Sequence, residues 1–340
     1  MENNFAISVI MITYGHEKYI KEAINSILSQ NYDGIIELII SNDCSPDNTE
    51  EVIFSIINNL DKNSNKTIKY IKPTRNLGIK ENFLWALSHV KSPYVAFCEG
   101  DDYWSDNEKL KKQSEIFKKN SDLELCGTNV AFYFQNADSL NRKVIGTKNF
   151  PIHLDFKKFI WDRGYMAPCS WMIKTQSLNE IFNEFIPALD ISYYIYAKFL
   201  IKNSVQFIDE ETCTYRILEE SASRSKNILN LVKREMDLFD TEYYLFDKHR
   251  SVGIDLYHFT ELKRRHIYVL CELILQITNS LELDRVIDQI KLKNPNILIQ
   301  VQSELKRRNT LQFKIRLVLK RIKRRLKYLI IKEKPIETQL

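Results

Sequence analysis

Two carboxylates stand side by side at Asp101-Asp102, closing the run Pro93-Tyr94-Val95-Ala96-Phe97-Cys98-Glu99-Gly100. Adjacent anions repel, so this position calls for positive charge. A hard divalent cation is the simplest answer, because Mg²⁺ is held by one or two carboxylates together with substrate phosphates. The short apolar run before the acids, bounded by Pro and Gly, reads as a buried strand. The acids therefore leave a sheet at a strand end, where open α/β sheets bind ligands. A second acidic turn, Ser41-Asn42-Asp43-Cys44-Ser45-Pro46-Asp47-Asn48-Thr49, follows another apolar run and puts Asp43 on the same edge. A carboxylate there can accept a hydrogen bond from a nucleobase N–H, or it can organise the turn. Asp47 reads as a helix cap.

Other kinds of site lack their signatures. All eight glycines stand alone, so neither a dinucleotide-binding GxGxxG nor a phosphate-cradling GxxxxGK[ST] is present. There is no HExxH, and the six histidines form no cluster. The six cysteines include no CxxC pair, which argues for reduced thiols rather than zinc or a disulfide scaffold. Phosphates must then be met by something other than a glycine-rich loop, and an acid pair with a metal can do that.

The elements that position these acids follow from periodicity. Apolar, β-branched runs at Ala6–Thr13, Ile35–Ser41, Thr67–Ile71 and Tyr94–Cys98 read as strands. Between them, Glu17–Ser29 and Glu81–Val90 carry apolar residues at helical spacing. Asp47-Asn48-Thr49-Glu50 resembles a capping box that opens a helix, and Ser105-Asp106-Asn107-Glu108 is another helix start. Strand–helix alternation predicts an α/β fold with a mostly parallel sheet and helices on both faces. Later, Leu125–Phe134 and Gln206–Ile208 read as strands and Asp190–Leu200 as a helix. From about Lys226 the chain reads as helices, around Leu229–Phe246 and Leu262–Ile277.

Composition is ordinary for a globular chain of 340 residues, with 44% hydrophobic and 27% charged residues and a net charge of +5. The charge is uneven. From Leu305 to Lys332 there is no acid, and Leu311, Ile315, Val318, Leu319, Ile322, Leu326 and Leu329 recur at helical spacing among the bases. Such a basic amphipathic helix suits an anionic membrane surface, reached through residues 306–332, with a solvated helix packed on the catalytic domain as the alternative. No aromatic–basic interleaving points to nucleic acid. The first residues show no signal peptide, and no apolar stretch is long enough to span a bilayer, so a cytoplasmic protein held peripherally at the inner face of the membrane is expected.

Five ordered motifs carry a family resemblance: Ser8-Val9-Ile10-Met11-Ile12-Thr13-Tyr14, Ala23-Ile24-Asn25-Ser26-Ile27-Leu28-Ser29-Gln30, Asn42-Asp43-Cys44-Ser45, Asn76-Leu77-Gly78 and Glu99-Gly100-Asp101-Asp102. Together they resemble glycosyltransferase family 2, nucleotide-sugar-dependent enzymes of the GT-A fold. The likeness is strong over residues 5–120 and weaker to about 225. Asn42 stands where a first Asp is common, and Cys44 where a small residue such as Gly is common.

The resemblance implies roles. Thr13 and Tyr14 would line the nucleotide, with Tyr14 on or near the nucleobase. Asp43 would bind the base imide, and Asn82 and Lys80 would lie along the base. Asp101 would contact the ribose or the metal side, and Asp102 would coordinate Mn²⁺ or Mg²⁺ bridging the diphosphate. Asp190, ahead of an apolar helix, would be the base that deprotonates the acceptor, with Glu184, Asp209, Glu210 and Glu211 as competitors and helix capping as the alternative role. Arg224, and less so Arg216, would meet the diphosphate, and Met166–Trp171 would line the acceptor side.

The implied protein is an inverting transferase. It would move a hexose or N-acetylhexosamine from a nucleotide sugar, UDP-linked in the first instance, to a saccharide or lipid-linked acceptor in bacterial surface polysaccharide synthesis. The implied organisation is a GT-A catalytic domain at 1–225, a helical region at 226–305 and a basic tail at 306–340. Two rivals stand beside it: a metal-dependent nucleotidyltransferase on the same sheet, and a non-catalytic scaffold that keeps the fold.

Overall fold

The computed structural model describes residues 6–61, 63–134, 143–145, 152–164, 166–184, 187, 189–218, 227–249 and 256–308. Arg224 and the basic tail beyond residue 308 lie outside them. The alternating first part forms β1 (Ile7–Thr13), α1 (Ile20–Leu28), β2 (Ile36–Asn42), α2 (Thr49–Ile57), β3 (Lys66–Ile71), α3 (Ile79–Ser88) and β4 (Tyr94–Phe97). Then come β5 (Tyr103–Trp104), α4 (Lys109–Lys119), β6 (Leu125–Phe134), β7 (Lys143–Ile145), α5 (Phe156–Asp162), β8 (Met172–Lys174), α6 (Thr175–Glu184), α7 (Ile191–Ile201) and β9 (Val205–Ile217). The last described elements are helices: α8 (Ile228–Lys248), α9 (Leu256–Ile274), α10 (Ser280–Lys293) and α11 (Pro295–Arg308).

All described strands join one sheet in the order β3-β2-β1-β4-β8-β6-β9-β5, with β7 beside β6. The half containing β3, β2, β1 and β4 is parallel, as the alternation predicts. Beyond β4 the sheet is mixed, because β8 enters antiparallel and β6 and β9 pair parallel to each other. β1 lies between β2 and β4 although β2 and β3 precede β4 in the chain, so the strand order reverses at β1. Ligands bind at such a reversal, outside the carboxyl ends of the strands.

The core reflects the sequence pattern. β1 and β2 are covered on both faces and read as near-continuous apolar runs, with Ile7, Val9, Met11, Ile36, Leu38 and Ile40 fully buried. The buried face of α1 (Ile20, Ala23, Ile24, Ile27) packs into the same cluster. Each such Ile contributes on the order of 1.5–3 kcal/mol relative to exposure.

Two local expectations change. The helix after Asp47 begins at Thr49 with Asn48 at the N-cap position, where its side chain makes no capping bond, so Asp47 lies one residue before the cap. Its carboxylate accepts from Thr49 N and Oγ1 and from Glu17 N, while Glu17 accepts from Asn48 N. Asp47 thus serves the start of its own helix, as expected, and the two loops are also bonded to each other. The strand expected at Gln206–Ile208 runs instead from Val205 to Ile217, because ten residues of β6 offer it a partner.

Packing divides the chain into two compact units. The first comprises Met1–Ser225 and Asp240–Asp255 and contains the sheet. The second comprises Lys226–Phe239 and Leu256–Leu340. Its core is built from Val232, Met236, Leu270, Cys271, Val286, Ile290 and Val301. Among the described residues, no helix is long and apolar enough to cross a membrane.

Candidate active site

The acid pair sits where β4 ends beside β1. After Phe97 the chain keeps bonding to β1, with Cys98 N donating to Ile10 O at 3.1 Å and Gly100 N to Ile12 O at 3.0 Å. The short strand β5 then carries the chain to β9 through the pairs Tyr103↔Thr214 and Trp104↔Cys213. Asp101 and Asp102 are therefore held between two regular pairings rather than on a free loop.

Asp102 is buried. Its Oδ1 accepts from Arg216 N at 2.8 Å, and its Oδ2 has no hydrogen-bond partner. Burial, and then the negative neighbours Asp101 and Glu99, push its carboxyl well above the usual carboxylate range. Glu99 behaves likewise. Its Oε2 is an orphaned acceptor, and burial followed by Asp101 pushes its carboxyl up to about 7. Buried acceptors without donors are rare because each costs about 1–3 kcal/mol. Three carboxyls in four residues with two orphaned oxygens fit a divalent cation. Among the described residues, no group of three or more His, Cys, Asp or Glu is arranged as a metal cage. Asp102 and Asp101 would supply the protein's share of the ligands, the rest coming from diphosphate and water, the way Mg²⁺ is usually bound.

Arg216 grips the pair from behind. Besides its backbone bond to Asp102, its Nη1 donates to Asp101 O at 2.5 Å and its Nη2 pairs with Glu22 on α1. Its guanidinium also lies over the rings of Tyr103 (4.6 Å) and Tyr19 (5.1 Å). The resemblance offers Arg216 as a phosphate ligand or a salt-bridge partner, and in the structure its guanidinium bonds Asp101 O and Glu22. Below the pair, the 3₁₀ turn Pro168–Ser170 is pinned by Trp104 Nε1 donating to Cys169 O at 3.0 Å and by Cys213 Sγ at 3.2 Å. The Met166–Trp171 stretch is mostly interior, with Met166, Cys169, Ser170 and Trp171 buried. Nearby, the buried Lys109 ammonium donates to Gln113 and lies over Trp104 at 4.2 Å.

The nucleotide-side candidates line the neighbouring strand ends. Thr13 closes β1, buried, and Tyr14 follows it half exposed. Asp43 leaves β2 buried, and its N–H donates to Thr13 O at 2.9 Å. Its carboxylate accepts from Leu77 N at 2.7 Å and Gly78 N at 2.8 Å, so it organises the Asn76-Leu77-Gly78 loop beside the strand ends. Asn82 is buried with both amide ends on Ser41, accepting from its hydroxyl at 2.5 Å and donating to its carbonyl at 3.2 Å. It fastens α3 to β2. Lys80 pairs with Glu81. Cys44 takes a left-handed φ of 59° where a glycine-like residue is expected, and its thiol donates to Pro73 O.

Asp190 occupies the N-cap position of α7, yet its side chain makes no capping bond. Three of the other acids have these partners. Glu184 pairs with the buried Lys198 at 2.7 Å, which holds its carboxyl below the usual range. Asp209 accepts from Asn129, and Glu210 pairs with Lys112.

The chain is similar to known proteins in sequence and fold. The profile of glycosyl transferase family 2 matches residues 8–182, which include all but the first residue of β1, then β2 through β4 and the acid pair. An Escherichia coli protein named UDP-Glc:alpha-D-GlcNAc-diphosphoundecaprenol beta-1,3-glucosyltransferase WfgD is 26% identical over 69% of this chain and 86% of its own length. An uncharacterized glycosyltransferase of Methanocaldococcus jannaschii is 27% identical over 67% of this chain and 75% of its own. Mycobacterial relatives are 25% identical over 62% of this chain, which spans 58% of their length. Among solved structures, Staphylococcus aureus TarS 1-349 in complex with UDP-GlcNAc superposes with a TM-score of 0.52 at 16% identity, covering 88% of this chain and 92% of that one, and so shares the fold. With its reversed strand order, its acid pair at the switch point and half of its length under the family profile, the chain belongs to glycosyl transferase family 2.

Proposed function

We propose that this enzyme transfers a hexose or N-acetylhexosamine from a UDP-sugar to a saccharide or lipid-linked acceptor, inverting the anomeric carbon, as a step in surface polysaccharide assembly. The observation that carries the donor side is the acid pair with the orphaned Oδ2 of Asp102 at the β1/β4 strand ends. Asp102 and Asp101 would hold Mn²⁺ or Mg²⁺, which when bound would neutralise charge on the departing diphosphate. Asp43 and Tyr14 would receive the base. Asp190 would take the proton from the acceptor hydroxyl, on the face opposite the leaving group, in a single displacement.

WfgD supports the reading by its name, since a relative over most of its own length acts on a UDP-sugar and a diphosphoundecaprenol acceptor. The basic residues 306–332 would bring the enzyme to anionic lipid, where such acceptors reside. A thermal-shift panel of nucleotide sugars with Mn²⁺ or Mg²⁺ is the direct test, because a ligand stabilises the state that binds it. A rise with a UDP-sugar and metal, absent in Asp102→Asn, is expected. No shift with any nucleotide sugar would overturn the proposal. The base is checked separately: Asp190→Asn should lower transfer by roughly 10²–10⁴-fold and leave UDP affinity unchanged.

A further inference from the structure

His16 follows Gly15, whose φ of 72° turns the chain sharply at the end of β1. Its backbone is fixed on both sides. The N–H donates to Thr49 Oγ1 at 2.9 Å, and the carbonyl accepts from Tyr19 N and Ile20 N, each at 2.9 Å. The ring is fixed as well, with Nδ1 3.1 Å from Thr13 Oγ1. Gly100, in the turn before the acid pair, closes over these two side chains. A Cβ there would lie 2.6 Å from Thr13 Oγ1 and 2.8 Å from His16 Nδ1. With Nδ1 engaged, Nε2 is the ring's remaining polar atom. It faces Asp101 Oδ2 at 4.0 Å, both side chains about one-fifth exposed.

A separation of 4.0 Å is too long for a direct hydrogen bond. It suits a hydroxyl between the two groups, accepting from the imidazole and donating to the carboxylate over about 2.8 Å on each side. The place in the sheet says which hydroxyl. Asp43 leaves β2, His16 follows β1 and Asp101 follows β4, three adjacent strands in that order. Asp43 bonds Thr13 and Thr13 touches His16, so the three form one continuous row. A base at Asp43 and a diphosphate at Asp101-Asp102 leave the ribose in the middle.

We infer that His16 Nε2 and Asp101 Oδ2 jointly hold one ribose hydroxyl of the bound nucleotide, His16 donating and Asp101 accepting. This makes His16 a binding residue that selects ribonucleotides, and it rests on the nucleotide-sugar reading of the same site. The test is isothermal titration of wild type, His16→Ala and His16→Gln with UDP, 2′-deoxy-UDP and 3′-deoxy-UDP in the presence of Mn²⁺.

Wild type should lose about tenfold in affinity when one particular hydroxyl is missing. His16→Ala should bind UDP and that analogue within about threefold of each other. His16→Gln, which keeps an N–H donor, should retain part of the discrimination, and a folded Gln variant keeps the test valid if the Ala variant does not fold. Unchanged discrimination in the variants overturns the inference. So does a fall in Mn²⁺ affinity, read by electron paramagnetic resonance of the free ion, without any change in discrimination, since the ring would then be a metal ligand. Wild type that binds neither UDP nor GDP removes the nucleotide reading itself, a different and recognisable failure.

Discussion

At the scale of single residues, the site is governed by the cost of burying negative charge. Glu99 in the fold titrates at about 7, against 4.5 as its ordinary value, through burial first and Asp101 second. The folded protein therefore holds a proton that the unfolded chain releases. The stability this represents is present in full below pH 4.5 and is lost as pH rises through about 7. Metal-free protein should accordingly melt at progressively lower temperature between about pH 5 and 8. Added Mn²⁺ should recover most at the alkaline end, and Glu99→Gln should flatten the slope. An unaltered slope in that variant would assign the effect elsewhere.

Arg216 makes a second prediction at this scale, because it holds Asp101 through its guanidinium and Asp102 through its backbone. Arg216→Met removes the side-chain bonds and leaves the backbone one. It should weaken Mn²⁺-dependent UDP binding by roughly tenfold, the worth of one charge-assisted hydrogen bond. Glu22→Gln, which leaves Arg216 its bond to Asp101, should cost less. Equal losses in the two variants would mean that the ion pair, not the grip on Asp101, is what matters.

At the scale of elements, the loops between strands and helices are fastened to one another. Asp43 ties the loop before α3 to the end of β2 through two backbone amides. Asp43→Ala should speed hydrogen exchange at Leu77 and Gly78 while the β1 and β2 amides keep their protection. Loss of protection throughout the sheet would instead show that Asp43 supports the fold as a whole. Gly100→Ala places a Cβ against Thr13 and His16, which are themselves pinned. Overpacking of this kind costs about 1–3 kcal/mol, so the melting temperature should drop by roughly 2–12 °C, with weakened nucleotide binding.

The periodic segments were readable without coordinates, since alternation of β-branched runs with helical stripes leaves few arrangements. The bond of Asp47 to Glu17 and those of Asn82 to Ser41 were not. A polar residue near a helix start looks the same in sequence whether it serves its own helix, a neighbouring loop or a ligand.

For the whole molecule, the membrane question concerns the bases of 306–332. Deleting residues 309–340 should release the protein from anionic liposomes while nucleotide binding persists, as each base near such a surface contributes on the order of 1 kcal/mol. Binding that survives the deletion would move the contact elsewhere.

The acid pair and the strand ends were legible along the chain because each depends on residue type and short-range spacing. A run of apolar residues broken by carboxylates states its own chemistry. What the folded chain alone decided is how the acids are held. Arg216 reaches Asp102 across 114 positions only because β9 continues past its expected end to pair with β5. His16 meets Asp101 because β1 and β4 are neighbours although two strands lie between them in the chain. Such contacts follow from sheet order and register, which are settled by the packing of many distant residues at once and leave no local mark at the positions they join.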